Sequence, residues 1–321
     1  MKTNIEGVRR RHVLKLAAAC GLAGWVPAHG AAAARRPRVA LLMSDLGNPF
    51  FAAIARSFEQ RFGSLRPGAS KVAVYSAGFD HTRQAEHMQQ ALRDGVDVIV
   101  VSPIDADLLQ PWVQKAHHAS VRVIAVDSAV PGADLTVTTD NLAAGRIACT
   151  RMVDRLNGRG NVAIIHGPTN TAALERVRGC REVLEQNPFV RLVSELYNGG
   201  GTKEGGLERM VSILLENPRV DGLFAINDPT ALGAEQAARH AGRSEMRIFS
   251  VDGSDEVARR LRDKNSLIVA TVAQDPSMMG RLAAEGAARL LDGQPIVDPV
   301  VRLAPRLVTA DNAATYQGWR R

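Results

Sequence analysis

From Arg38 onward, short β-branched apolar runs alternate with stretches whose apolar residues recur every three to four positions. The first pattern is that of strands buried on both faces, the second that of helices with one core-facing stripe. Their alternation predicts an α/β fold, a parallel sheet with crossover helices. Strands are expected at Val39–Ser44, Lys71–Ser76, Asp97–Ser102, Val121–Val126, Val162–Ile165, Gly222–Ile226, Arg247–Val251 and Leu267–Val272. Helices are expected at Pro49–Arg61, Thr82–Asp94, Asn141–Leu156, Ala173–Gln186, Lys203–Glu216, Pro229–Ala241 and Ser277–Leu291. The alternation restarts near Asp140–Asn141, dividing the chain into two similar halves. A single sheet of about ten strands tends to split, so two doubly wound parallel-sheet lobes are expected.

Composition narrows the class. The 321 residues are 45% hydrophobic and 23% charged, ordinary globular chemistry with length for two cores. No apolar run reaches the roughly 18 to 20 residues that span a bilayer, so no direct membrane insertion of the mature chain is expected. The net charge is +7, but residues 1–34 hold +4 of it, and the remaining +3 is not gathered on one face or interleaved with aromatics. That argues against nucleic acid as a partner. No Cys/His group has metal spacing, and there is no dinucleotide fingerprint or G-x-S-x-G elbow, so neither cofactor nor catalysis is expected.

The N-terminus reads as an address. Arg10-Arg11-His12-Val13-Leu14-Lys15 fits a twin-arginine export pattern, followed by an apolar stretch (Leu16 to Val26) and the small-residue region Ala28 to Ala34. Residues 1–34 are therefore expected to be a signal peptide, and the mature protein periplasmic. A lipoprotein reading of Cys20 is set aside because Lys15 interrupts the apolar stretch before it. Cys149 and Cys180 remain, either paired in an oxidising compartment or packed as two buried helix thiols; spacing leaves both open.

Ligands of open parallel sheets bind beyond the carboxyl ends of the strands. Those ends carry Asp45-Leu46-Gly47-Asn48-Pro49-Phe50-Phe51, Asp127, His166-Gly167-Pro168 with Glu175-Arg176 beyond, Asn227-Asp228, Asp252-Gly253 and Ala273-Gln274. Each alone has a plain structural explanation: Asn48 a helix cap, Phe50 and Phe51 a buried helix start, Asp127 and Asp252 turn formers. Together they assemble carboxylates, carboxamides, one Arg and two rings from both halves. A sugar presents hydroxyls that donate and accept, which carboxylates and Arg bond strongly, and a C–H face suited to aromatic rings.

Nine blocks carry a family resemblance. They are Ser44 to Phe51, Ser102-Pro103-Ile104-Asp105-Ala106-Asp107, Val123 to Asp127, Thr139-Asp140-Asn141, Ala172 to Arg176, Phe224 to Asp228, Ala231-Leu232-Gly233-Ala234, Val251-Asp252-Gly253 and Ala270 to Gln274. In this order, over essentially the whole mature chain, they resemble the ribose-binding type of periplasmic receptor for ABC transporters. The resemblance implies that Asn48, Asp127, Arg176, Asn227, Asp252 and Gln274 hydrogen-bond a sugar, and that Phe50 and Phe51 pack on it. It further implies lobes of residues 36–140 plus 275–303 and 141–274 plus 304–321, joined by three crossings, that close around the ligand. The implied partner is an ABC permease with its ATPase, served by a monomeric receptor. A sensor presenting bound sugar to a chemoreceptor or kinase is the alternative.

The chain departs from that family pattern at three places. Ser128 stands where an Arg follows the first cleft Asp, Asn198-Gly199-Gly200-Gly201-Thr202 replaces an aromatic, and Asp45 adds an acceptor. These changes point away from ribose toward another pentose, a hexose or a polyol, with Asp45 taking an additional hydroxyl. The Gly199–Lys203 run lacks phosphate-loop spacing and reads as a loop beside the cleft. His166, at a strand end, is a further candidate contact, whereas His81, His87, His117 and His118 read as solvated.

Overall fold

The computed structural model describes residues 36–69 and 72–319. The expected signal peptide and Lys71 lie outside the described residues. The first half runs β1 (Val39–Met43), α1 (Pro49–Leu65), β2 (Ala73–Ser76), α2 (His81–Arg93), β3 (Val98–Val101), α3 (Ala106–His118), β4 (Arg122–Val126) and β5 (Leu135–Thr139). The second runs α4 (Asn141–Arg155), β6 (Gly160–His166), α5 (Thr171–Glu185), β7 (Val190–Asn198), α6 (Lys203–Glu216), β8 (Gly222–Ala225), α7 (Asp228–His240), β9 (Arg247–Asp252), α8 (Asp255–Arg260) and β10 (Ile268–Ala273). The chain closes with α9 (Pro276–Leu291), β11 (Val300–Leu303) and β12 (Arg306–Thr309).

Two six-stranded sheets form, in the orders β11-β5-β4-β3-β1-β2 and β12-β10-β9-β8-β6-β7. The two orders are the same winding, as the restart of the alternation implied. All pairs are parallel except β10 with β12. Alternate residues of each strand feed opposite faces: Leu41 and Met43 pack with Ile54, Phe58 and Met279, while Ala40 and Leu42 pack with Met88, Leu109 and Val113. Helices on both faces explain why these strands read as unbroken apolar runs. The second sheet is covered likewise on both faces.

The chain passes between the sheets three times: from β5 to α4, from β10 to α9 and from β11 to β12. Four strands lack a clear counterpart in the hydrophobic pattern: β5, β7, β11 and β12. β5 reads Leu-Thr-Val-Thr-Thr, and β11 alternates exposed and half-buried positions at a sheet edge. β7, β11 and β12 lie at sheet edges, which bury too little to need a continuous apolar run, whereas β5 is interior and buried and its threonines interrupt the apolar pattern. Between α4 and α5, Cys149 and Cys180 form a disulfide with Cα atoms 5.1 Å apart, so the paired reading holds.

Candidate ligand-binding site

The carboxyl ends of both sheets meet at one narrow crevice. β4 delivers Asp127 with φ 67°, and β9 delivers Asp252 with φ 134°. Positive φ is uncommon for residues with a Cβ, and such geometry is held only where surrounding structure imposes it. Backbone bonds impose it here: Asp127 N donates to Val137 O at 2.9 Å, and Gln274 N donates to Asp252 O at 3.0 Å. Gly253 follows Asp252 with φ 75°. A Cβ there would fall 2.5 Å from the Ala273 Cβ, so this turn needs glycine.

Arg176 enters from α5 and is only 5% exposed. Its Nε donates to Asn141 Oδ1 at 2.8 Å and its Nη1 to Ile226 O at 3.1 Å, with Asp252 Oδ1 at 3.6 Å. Asn141, itself buried, is fixed by donating from Nδ2 to Thr138 Oγ1 and Thr139 O. The α4–α5 crossing that permits this is close: a Cβ on Gly145 would lie 2.0 Å from the Arg176 carbonyl oxygen. Helix packing therefore sets the position of the guanidinium.

The carboxamides do two jobs each. Asn48 lines the crevice, and its Oδ1 accepts from Phe50 N at 3.0 Å and caps α1. Asn227 caps α7 through Oδ1 and donates from Nδ2 to Gly201 O at 2.9 Å. Gln274 accepts from Thr139 Oγ1 and donates to Asp252 Oδ1, both at 2.8 Å. Capping engages only the Oδ1 end of the Asn48 amide, so the cap explanation and the ligand explanation do not exclude each other.

Burial pushes Asp252 up to about 8; Arg176 opposes that rise and the nearby Asp228 adds to it. Asp127 is also raised by burial, against Arg176 and the Ser128 hydroxyl at 3.3 Å. Asp228 stands behind the site and accepts from Ser250 Oγ, Thr271 Oγ1 and Ser254 N. Two nearly buried carboxyl groups thus face one guanidinium, a set of donors and acceptors suited to hydroxyl groups.

Three rings line the apolar side. Phe50 and Phe51 meet edge to face at 5.3 Å, and Phe79 meets Phe51 at 5.9 Å. Phe50 and Phe51 also join the first sheet's core, so the buried helix start accounts for both, and both line the crevice as well. Besides the bond from Thr139 Oγ1 to Gln274, the halves are joined near the crevice by Thr169 Oγ1 donating to Asp105 Oδ2 and Ala129 N donating to Thr171 Oγ1, each at 2.8 Å.

Of the residues singled out in the sequence, Asn48, Phe50, Phe51, Asp127, Arg176, Asn227, Asp252 and Gln274 line this crevice. Asp45 lines a wider outer cleft with Gly47, Lys203 and Arg259 instead, and its Oδ1 accepts from Gly47 N. Ser128 is fully buried behind Asp127. His166 turns its Nδ1 to Gly167 O and is not in the lining, and His87 packs on Tyr75 with Nδ1 buried rather than solvated. Phe79, Asn170 and Gly201 also line the crevice without having been singled out as contacts. Phe79 and Asn170 follow β2 and β6, so the strand-end rule applied to every strand finds both.

Such a crevice can hold a small polyhydroxylated molecule, with carboxylates and Arg176 on its hydroxyls and rings on its C–H face. Comparison with known proteins agrees. Residues 39–295 match the model of a family described as periplasmic binding protein domain. A ribose import binding protein of Bacillus subtilis (strain 168) is 29% identical over 261 residues, 80% of this chain and 83% of that protein. A xylitol-binding protein of Mycolicibacterium smegmatis (strain ATCC 700084 / mc(2)155) is 30% identical, covering 74% of this chain and 68% of that protein. A solved ABC transporter solute-binding protein from Mycobacterium smegmatis with bound glycerol superimposes with TM-score 0.82 at 27% identity, covering 88% of this chain and 97% of that one.

Proposed function

This chain belongs to the periplasmic binding protein domain family, and we propose that it captures a monosaccharide (pentose or hexose) or polyol and delivers it to an ABC importer. What supports this most is that Asp127, Arg176 and Asp252, far apart in sequence, line one crevice with three rings. Ligand hydroxyls exchange hydrogen bonds with the Asp127 and Asp252 carboxyl groups and accept from Arg176 and the Asn48 amide, and the rings cover the C–H face.

We assign residues 36–140 plus 275–303 to one lobe and 141–274 plus 304–321 to the other, hinged at the three crossings. A ligand touching Asp127 on one lobe and Arg176, Asn227 and Asp252 on the other stabilises the closed arrangement, the hinge behaviour of periplasmic binding proteins. The receptor then presents closure, as a monomer, to a permease with its ATPase. Export by the twin-arginine signal in residues 1–34 puts it in the periplasm. Relatives named for import favour a transporter over a sensor as the partner.

The test is a thermal-shift screen of the mature protein against D-ribose, D-allose, xylitol, myo-inositol and glycerol. A ligand at 100 times its Kd adds about 2.7 kcal/mol to stability and raises the melting point. No shift with any sugar or polyol refutes the reading. The bound compound should be recovered chemically unchanged, since no catalytic step is proposed.

A further inference from the structure

Phe79 sits in the loop between β2 and α2 with φ 56°, a left-handed conformation that a bulky aromatic rarely adopts. The loop holds it there by several bonds. Phe79 N donates to Ser44 O at 2.8 Å, Asp80 N to Ala77 O at 3.2 Å, and Arg83 Nη1 to the same Ala77 carbonyl at 3.3 Å. An outlier imposed this firmly beside a binding crevice invites a functional explanation.

The position of the ring supplies one. The inner crevice measures about 50 Å³ and the outer cleft about 650 Å³. Asn48, Phe79 and Gly201 are the residues common to both linings. On the second half's side of that passage stands Gly201, which has no side chain and takes φ 73°. On the first half's side, Asn48 is tied into the cap of α1, so the Phe79 ring is the bulky group at the boundary.

We propose that Phe79 is a specificity-determining residue: its ring closes the outer end of the crevice and sets the length of ligand the site accepts. This rests on the sugar and polyol reading above. A small ligand packs its terminal C–H groups against the ring, and a longer one meets the ring where the passage widens. Removing the ring joins the crevice to the outer cleft and admits a ligand bearing an additional sugar unit.

The experiment is isothermal titration of wild type, Phe79→Ala and Phe79→Gly with glycerol, xylitol, D-allose and maltitol (a hexitol carrying a glucosyl group). Phe79→Gly accepts the left-handed backbone without strain, so it isolates loss of the ring should Phe79→Ala fold poorly. The expected result is a loss of roughly tenfold or more for the best small ligand of the wild type, with the ratio of maltitol to that ligand rising by a similar factor. Equal weakening across the series, or unchanged affinities, overturns the inference while leaving the receptor reading intact. A wild type that binds none of the four, nor any compound of the thermal-shift screen, overturns both.

Discussion

Trp319 donates its indole Nε1–H to the backbone carbonyl of Asp252 at 3.1 Å, while its ring stands edge-on to Phe50 at 5.6 Å. One residue near the chain's end thereby touches the back of a crevice carboxylate on β9 and of a crevice ring on α1. Tyr316 reinforces the same turn by donating from its hydroxyl to Gly253 O at 2.7 Å. Trp319→Phe keeps ring contact and loses the hydrogen bond, so it should weaken sugar binding about two- to fivefold, whereas Trp319→Ala should cost about tenfold or more. Stopped-flow dissociation rates distinguish these; equal rates for all three proteins would remove Trp319 from the site's support.

Arg176 satisfies Asn141 Oδ1 and Ile226 O in addition to facing Asp252. Arg176→Ala strands those buried acceptors and should reduce affinity by about 2 to 4 kcal/mol. Arg176→Lys should restore little, because an ammonium cannot reproduce the planar fork. Calorimetric titration against the sugar or polyol found by screening checks both.

The ligand-free protein should lose stability with rising pH. An unfolded Asp titrates near 3.9, whereas burial holds Asp252 near 8 in the fold. Between those values the native state binds more protons than the unfolded one, so the contribution is fully present below about 4 and is lost as pH rises through about 8. Asp127, Asp228 and Arg176 are the charged groups acting on Asp252. Asp252→Asn should flatten this part of the profile and also impair binding. Melting points from pH 4 to 9, with and without that substitution, decide it.

Gly145 is where the α4 backbone passes the Arg176 carbonyl. Gly145→Ala should destabilise the fold by about 1 to 3 kcal/mol through overpacking and shift Arg176 enough to weaken binding. Gly63, on the surface of α1 with nothing near its missing Cβ, is the control, and Gly63→Ala should leave both unchanged or raise stability slightly. Urea denaturation and titration of the two variants give the comparison.

The Cys149–Cys180 bridge ties the helices that carry Asn141 and Arg176. Reduction, or Cys149→Ser with Cys180→Ser, should lower stability by about 2 to 4 kcal/mol. Affinity should fall much less, since Arg176 keeps its own bonds to Asn141 and Ile226. A loss of affinity as large as that of Arg176→Ala would show the bridge to be the main positioning device.

Much of this was legible in the residues. Continuous apolar runs and helical periodicity marked eight strands and seven helices, and α6 begins and ends where Lys203–Glu216 predicts. Asn48, Asp127, Asn227 and Asp252 announce themselves by chemistry at strand ends. Phe79 follows β2 as they follow their strands, but an apolar ring in a Gly-Phe-Asp loop brings no hydrogen-bonding group to mark it, and its left-handed backbone is invisible in one dimension. Asp45 looked equivalent to its neighbours, yet the turn through Gly47 carries it to the outer cleft.

The order of apolar and polar residues alone determined two doubly wound halves, since burying those runs on both faces permits little else. The pairing of Cys149 with Cys180, the passage between Phe79 and Gly201 and the reach of Trp319 to Asp252 were decided by tertiary structure. Each depends on distances between segments far apart in the chain, which side-chain packing sets and no local pattern encodes.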